Sequence, residues 1–106
     1  IMNEIKELTK QYIKSFDDKN IEGVLSLVTE DFELKDPANH IQGKEQCERF
    51  LKSVFENEID FRALDIFVDG DHSIIHFEII FNGETLNGAD IIRWDNGKMS
   101  SLVAYL

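Results

Sequence analysis

Ile74-Ile75-His76-Phe77-Glu78-Ile79-Ile80-Phe81-Asn82-Gly83 decides the fold. Ile75, Phe77, Ile79 and Phe81 fall on one side of a two-residue repeat, and His76 and Glu78 fall on the other. Alternation of that period is the mark of a half-buried strand, because successive side chains leave a pleated backbone on opposite faces. Asn-Gly directly after it supplies the positive-φ pair that a two-residue hairpin needs. The pattern extends both ways. Ile59 to Asp69, His72 to Asn82, Thr85 to Trp94 and Lys98 to Leu106 all read as strands. Asp69-Gly70-Asp71, Asn82-Gly83 and Asp95-Asn96-Gly97 turn between them. Consecutive hairpins give an antiparallel meander. Asn87-Gly88, inside a strand, predicts a bulge.

The first half has a different period. From Asn3 to Phe16, the residues Ile5, Leu8, Tyr12, Ile13 and Phe16 share one helical face. Asn20 is the expected N-cap of a second helix reaching Thr29, with Ile21, Val24, Leu25 and Val28 as its stripe. A third helix runs from Lys44 to Asn57, where Cys47, Phe50, Leu51, Val54 and Phe55 follow the i, i+3, i+4 pattern. Between the last two, Asp31 to Asp36 is a short strand closed by Asp36-Pro37, a step that disfavours helix. The predicted order is ααβαββββ, an α+β single domain over residues 1–106. Three helices must bury their stripes against one face of a curved antiparallel sheet.

The chain has 106 residues, 11 basic against 21 acidic, for a net charge of −10. That length suits one domain with its own core. The acidic balance leaves no basic stripe for a nucleic-acid backbone or an anionic membrane, so neither is an expected partner. No apolar run approaches the length of a membrane span. Ile1-Met2-Asn3-Glu4 carries no basic segment leading into an apolar one, and no leader is expected. One cysteine, Cys47, rules out an internal disulfide; a reducing cytoplasm is the expected setting. No P-loop, dinucleotide glycine pattern or Ser-His-Asp order appears, and no cofactor is expected.

Several short signatures in this order resemble the NTF2-like superfamily, which includes ketosteroid isomerases and SnoaL-like polyketide cyclases. They are Asn20-Ile21-Glu22-Gly23-Val24-Leu25, Leu34-Lys35-Asp36-Pro37, Gly43 before the third helix, and Gly88-Ala89-Asp90-Ile91-Ile92-Arg93-Trp94 followed by Asn96-Gly97-Lys98. The resemblance implies a cone: a strongly bent sheet wrapped around three helices, with a deep apolar cavity open at one end. It also implies a homodimer through the convex sheet face.

By the same resemblance, three polar residues stand where ketosteroid isomerases keep their catalytic groups. Tyr12 matches the tyrosine that donates to the substrate carbonyl oxygen. Asp36 matches the proton-shuttling base, and Asp90 the protonated acid that completes the oxyanion hole. Enolate formation needs such a set, one base and two donors converging on one oxygen. Alternation supports part of it. If Asp90 points inward, so do Ile92 and Trp94, while Arg93 turns out. Burial among apolar neighbours would keep the Asp90 carboxyl protonated near pH 7.

The expected pocket comprises Phe16, His40, Phe50, Leu51, Phe77, Ile92, Trp94, Leu102 and Ala104, with a small apolar molecule as its ligand. Val28 and Leu51 stand where the isomerases carry further aromatic hydroxyls, which favours a smaller ligand than a steroid. Other readings stay open at these positions. Tyr12 also fits a core tyrosine, and Asp36 a plain turn-former. Cys47 reads as an inert core thiol. His72 and His76 lie near Asp69 and Asp71, but without a third ligand at suitable spacing no metal site is expected. Two functions follow: an isomerase, cyclase or dehydratase acting on a small carbonyl compound, or a non-catalytic ligand-binding or dimerisation module.

Overall fold

The computed structural model describes residues 2–106. Its elements are α1 (Met2–Asp17), α2 (Ile21–Leu25), β1 (Val28–Lys35), β2 (His40–Gln42), α3 (Lys44–Val54), β3 (Ile59–Asp69), β4 (His72–Phe81), β5 (Glu84–Asp95) and β6 (Lys98–Tyr105). The six strands form one sheet in the order β2-β1-β6-β5-β4-β3. The helices cover its concave face, the NTF2-like cone. Among the described residues, no helix is long and apolar enough to cross a membrane.

The C-terminal meander follows from its turns. Asn82 (φ 50°) and Gly83 (φ 84°), and likewise Asn96 (φ 49°) and Gly97 (φ 80°), adopt the left-handed pair of a type I′ hairpin. The first turn holds β4 and β5 in unbroken register from His72↔Arg93 to Phe81↔Glu84, and the second starts the pairing of β5 with β6 at Asp95↔Lys98. The sheet bends elsewhere. Register shifts occur between Ala63 and Asp65 on β3 and between Arg93 and Trp94 on β5. Each inserts an extra residue on one strand and increases the local twist. The second shift lets Met99 and Leu102, three apart, both point inward.

Four expectations need correction. The sheet is mixed, because β1 runs parallel to its neighbour β6. A strand is added: β2 pairs with β1 through Glu33↔Gln42 and Lys35↔His40. Three residues are too few to show a period. α2 stops at Leu25, short of Thr29: Asn20 caps its start by accepting from the Gly23 amide at 3.0 Å, but Val28 is drawn into pairing with Met99. Asn87-Gly88 is not a bulge. Gly88 is there because a Cβ would run into the Tyr105 carbonyl and lie 2.9 Å from the Phe77 ring.

The core joins Val24, Val28, Phe32, Leu51, Ile75, Ile92, Trp94, Met99 and Leu102, all at most 4% exposed. A polar thread runs through it. Trp94 Nε1 donates to Ser73 Oγ at 2.9 Å, the Ser73 and Thr9 hydroxyls stand 2.8 Å apart, and Thr9 bonds the Ile5 carbonyl at 2.7 Å. Each hydroxyl carries one proton, so with Thr9's given to Ile5 the Ser73 proton bridges to Thr9. Every donor is then used, and α1 is tied to β4 and β5. At the other end of α1, Asp17 accepts from the Phe61 amide of β3 at 2.9 Å. Ser73→Ala strands the Trp94 N–H and deprives Thr9 of its donor in a dry interior. A loss of about 1–3 kcal/mol in urea unfolding is expected; an unchanged midpoint would show that the thread contributes nothing.

Candidate functional site

One cavity of about 370 Å³ opens between the helices and the concave sheet. Tyr12 enters from α1, where the period that turns the half-buried Ile5 and Leu8 toward the core carries it inward. Asp90 enters from β5, whose inward residues include Asp90, Ile92 and Trp94 at 5%, 0% and 4% exposure. Asp36 stands at the mouth, at the end of β1. All three line the cavity.

Their surroundings differ. Asp36 Oδ1 accepts from the Ala38 and Asn39 amides at 2.8 and 2.6 Å and from Asn39 Nδ2 at 3.0 Å. Its own amide donates to the Asn39 carbonyl. The carboxylate thus builds the turn that shapes the mouth, and Pro37, Ala38 and Asn39 line the opening. By contrast, neither the Tyr12 hydroxyl nor the Asp90 carboxyl bonds to another described residue. Burial alone raises the Asp90 carboxyl to about 7. Burial also pushes the Tyr12 hydroxyl well above its ordinary value, helped by the nearby charges of Asp90 and then Cys47. A hydroxyl and a carboxyl left open in an apolar wall are costly unless something in the cavity bonds them.

The walls are aromatic. Phe16 meets Phe55 at 5.1 Å and Phe61 at 5.2 Å between ring centroids, and Phe61 meets Phe77 at 5.0 Å. Of the expected pocket residues, Phe16, Phe50, Phe77, Leu102 and Ala104 line the cavity. Four do not. Leu51, Ile92 and Trp94 point inward but sink into the packed core beyond it. His40 lies on β2, exposed, with Nε2 2.8 Å from Glu33 Oε2. Leu34, Val54, Phe61 and Leu86 also line the cavity. The alternation of Phe32 and Leu34 was the available signal for one of them. Leu86 shares the parity of Asp90, Ile92 and Trp94 on β5, and that alternation was its signal.

Other candidates fall outside the cavity. Cys47 is buried on α3 and its thiol is pushed up to about 11 by burial. His76 pairs with Asp65 at 3.0 Å, and His72 with Asp71 at 2.7 Å, on the convex face. Arg93 reaches Asp71 at 3.8 Å there. Among the described residues, no three His, Cys, Asp or Glu side chains gather in a way that could hold a metal ion.

Solved structures share this architecture at low identity. A protein from Kribbella flavida DSM 17836 assigned to the ketosteroid isomerases superposes with a TM-score of 0.91 at 17% identity, over 98% of this chain and 78% of that one. A protein from Sinorhizobium meliloti assigned to the polyketide cyclases gives 0.85 at 14%, over 92% and 93%. An NTF2-like protein of unknown function from Cytophaga hutchinsonii ATCC 33406 gives 0.84 at 20%, over 95% and 88%. These likenesses show the fold. No curated protein sequence matches. The sequence profile of the SnoaL-like domain matches residues 9–102. With nearly the whole cone inside that match, the chain belongs to the SnoaL-like domain family of the NTF2-like superfamily.

Proposed function

We propose that the protein moves a proton on a small carbonyl compound, as an isomerase, cyclase or dehydratase. The carrying observation is the pair of buried oxygen groups, Tyr12 and Asp90, that face one apolar cavity without a partner among the described residues. A carbonyl oxygen between them would accept from the Tyr12 hydroxyl and from the protonated Asp90 carboxyl. Both bonds strengthen as the oxygen gains charge, which is what lowers the barrier to an enolate. Asp36, held at the mouth by its own turn, is the base that takes and returns the proton. The cavity volume is at the low end for drug-sized ligands, which supports a small substrate.

Asp36→Asn keeps the Oδ1 that the loop amides and Asn39 Nδ2 bond, gives up the 3.1 Å bond from Asn39 Nδ2 to Oδ2, and removes the base. α-Proton exchange of small cyclic ketones in D₂O, followed by NMR, is expected for the unmodified protein. The exchange is expected to vanish in Asp36→Asn while the melting temperature stays within a few degrees. Full exchange in the variant would remove Asp36 from the mechanism. Exchange in neither protein, with ketone binding intact, would make the cavity a binding module. The turn-building bonds of Asp36 favour that second reading, since a turn-former needs no chemistry.

The Asp90 carboxyl also sets a pH dependence. Its folded value of about 7 lies above the ordinary 3.8, so between those pH values the folded state holds a proton that the unfolded state releases. Stability through this group is therefore full below about pH 4, falls as pH rises to 7, and is flat above. The whole fall is on the order of 4 kcal/mol. Asp90→Asn cannot ionise. Its stability relative to the unmodified chain is expected to rise steadily from pH 4 to 7; a constant difference would show that Asp90 binds its proton no more tightly in the fold than in the unfolded chain.

The same reading includes a homodimer. Phe67, Ile74 and Ile91 face each other across β3, β4 and β5 on the convex side, at 58%, 36% and 37% exposure. Adjoining apolar side chains left in water support a second copy as their cover. Sedimentation at micromolar concentration is expected to give a dimer, and Ile91→Lys a monomer with the same fold. A monomeric unmodified protein would end the proposal.

A further inference from the structure

The cavity that would hold a carbonyl compound has an uneven charge inventory. Among the described residues, two carboxyl groups, Asp36 and Asp90, line it with the Tyr12 hydroxyl, and no lysine, arginine or histidine does. Six aromatic rings complete much of the wall: Tyr12, Phe16, Phe50, Phe61, Phe77 and Phe81. The molecule around it carries −10. Among the described residues no positive side chain lines the cavity beside Asp90, and Lys44 of α3 acts on Cys47 and not on Asp90. Tyr12 faces it from α1, with Cys47 of α3 nearby, and Asp36 lies at the mouth after β1. Its strand partners are Ile75 on β4 and Ala104 on β6.

A cation entering such a site meets favourable interactions throughout. The acidic surface raises its local concentration. Ring faces attract it. Asp90 gives it a carboxylate already stripped of water by the fold, so the ion pair carries only the cation's own desolvation cost. We propose that the cavity binds small protonated amines bearing an apolar ring, with the ammonium group paired to the Asp90 carboxylate. This rests on the same cavity as the proton-transfer reading but asks for the opposite state of Asp90: the carbonyl needs it protonated, the ammonium needs it ionised. The two ligand classes therefore compete, and pH decides between them.

The experiment is calorimetric titration with benzylamine, benzyl alcohol and acetophenone from pH 5.5 to 8. Across that range benzylamine stays protonated, as do the Tyr12 hydroxyl and the Cys47 thiol, whose values lie well above it. At pH 8 benzylamine is expected to bind at least about tenfold more tightly than its neutral isostere benzyl alcohol. Its affinity is expected to fall by up to about tenfold per pH unit below 7, as Asp90 takes up its proton. Acetophenone is expected to move in the reverse sense, and Asp90→Asn to lose the preference for the amine. Equal or tighter binding of benzyl alcohol at pH 8, or a benzylamine affinity indifferent to pH, would overturn the proposal. The pH series on the unmodified protein decides this even if the variant fails to fold. Acetophenone bound and benzylamine rejected would overturn the amine proposal while leaving the carbonyl reading intact. Rejection of all three would overturn it and remove the support for both.

Discussion

The register of β5 is the constraint on which the rest depends. Ile92 and Trp94 must enter the core, and a strand sends every second residue to the same side. Asp90 is therefore carried inward with them. A slip of one residue would bury Arg93 and Ile91 and put Trp94 in water. The type I′ turns at Asn82-Gly83 and Asn96-Gly97 prevent that slip from both ends. Burying a carboxyl is thus a consequence of burying a tryptophan, and the cavity is where the fold accommodates it.

The helix layer completes the site by a separate device. Thr9 stands one turn before Tyr12, so the thread from Trp94 through Ser73 to Thr9 sets where along the sheet Tyr12 lies. The same strand that carries Asp90 also supplies the indole that begins this thread. Tyr12 and Asp90 are consequently referenced to one another through a dry, fully bonded path. At the mouth, Asp36 follows Lys35, which the sheet pairs on both sides, but its carboxylate bonds only within its own four-residue loop. The inner pair and the outer carboxylate thus belong to environments of different depth, Tyr12 and Asp90 buried and Asp36 half-buried.

The state of Asp90 gives the cavity two chemical characters. Protonated, it is a hydrogen-bond donor suited to an oxygen that is gaining electrons. Ionised, it is an uncompensated charge among aromatic rings that calls for a cation. Because burial brings its titration to about 7, both characters are available close to neutrality. The fold itself is indifferent to which is used, as superfolds commonly are.

Local order was legible in the residues. Strand alternation, the Asn-Gly turns and the helical stripes located all three helices and five of the six strands, with β3 bounded as read. They also placed Asp90, Ile92 and Trp94 on one side. Periodicity records which face a residue occupies, since that depends only on backbone geometry. It does not record depth. Leu51, Ile92 and Trp94 face inward like the cavity residues, yet they are packed solid, because neighbouring elements fill the space above them. The parallel pairing of β1 with β6, the three-residue β2 and the close approach that reserves position 88 for glycine are likewise products of assembly. The sequence by itself determined the helices, five of the strands and their faces through short-range sterics and solvent partition. Only the tertiary structure decided which inward faces meet one another and which meet a void, because that depends on the curvature of a sheet whose strands are far apart in the chain.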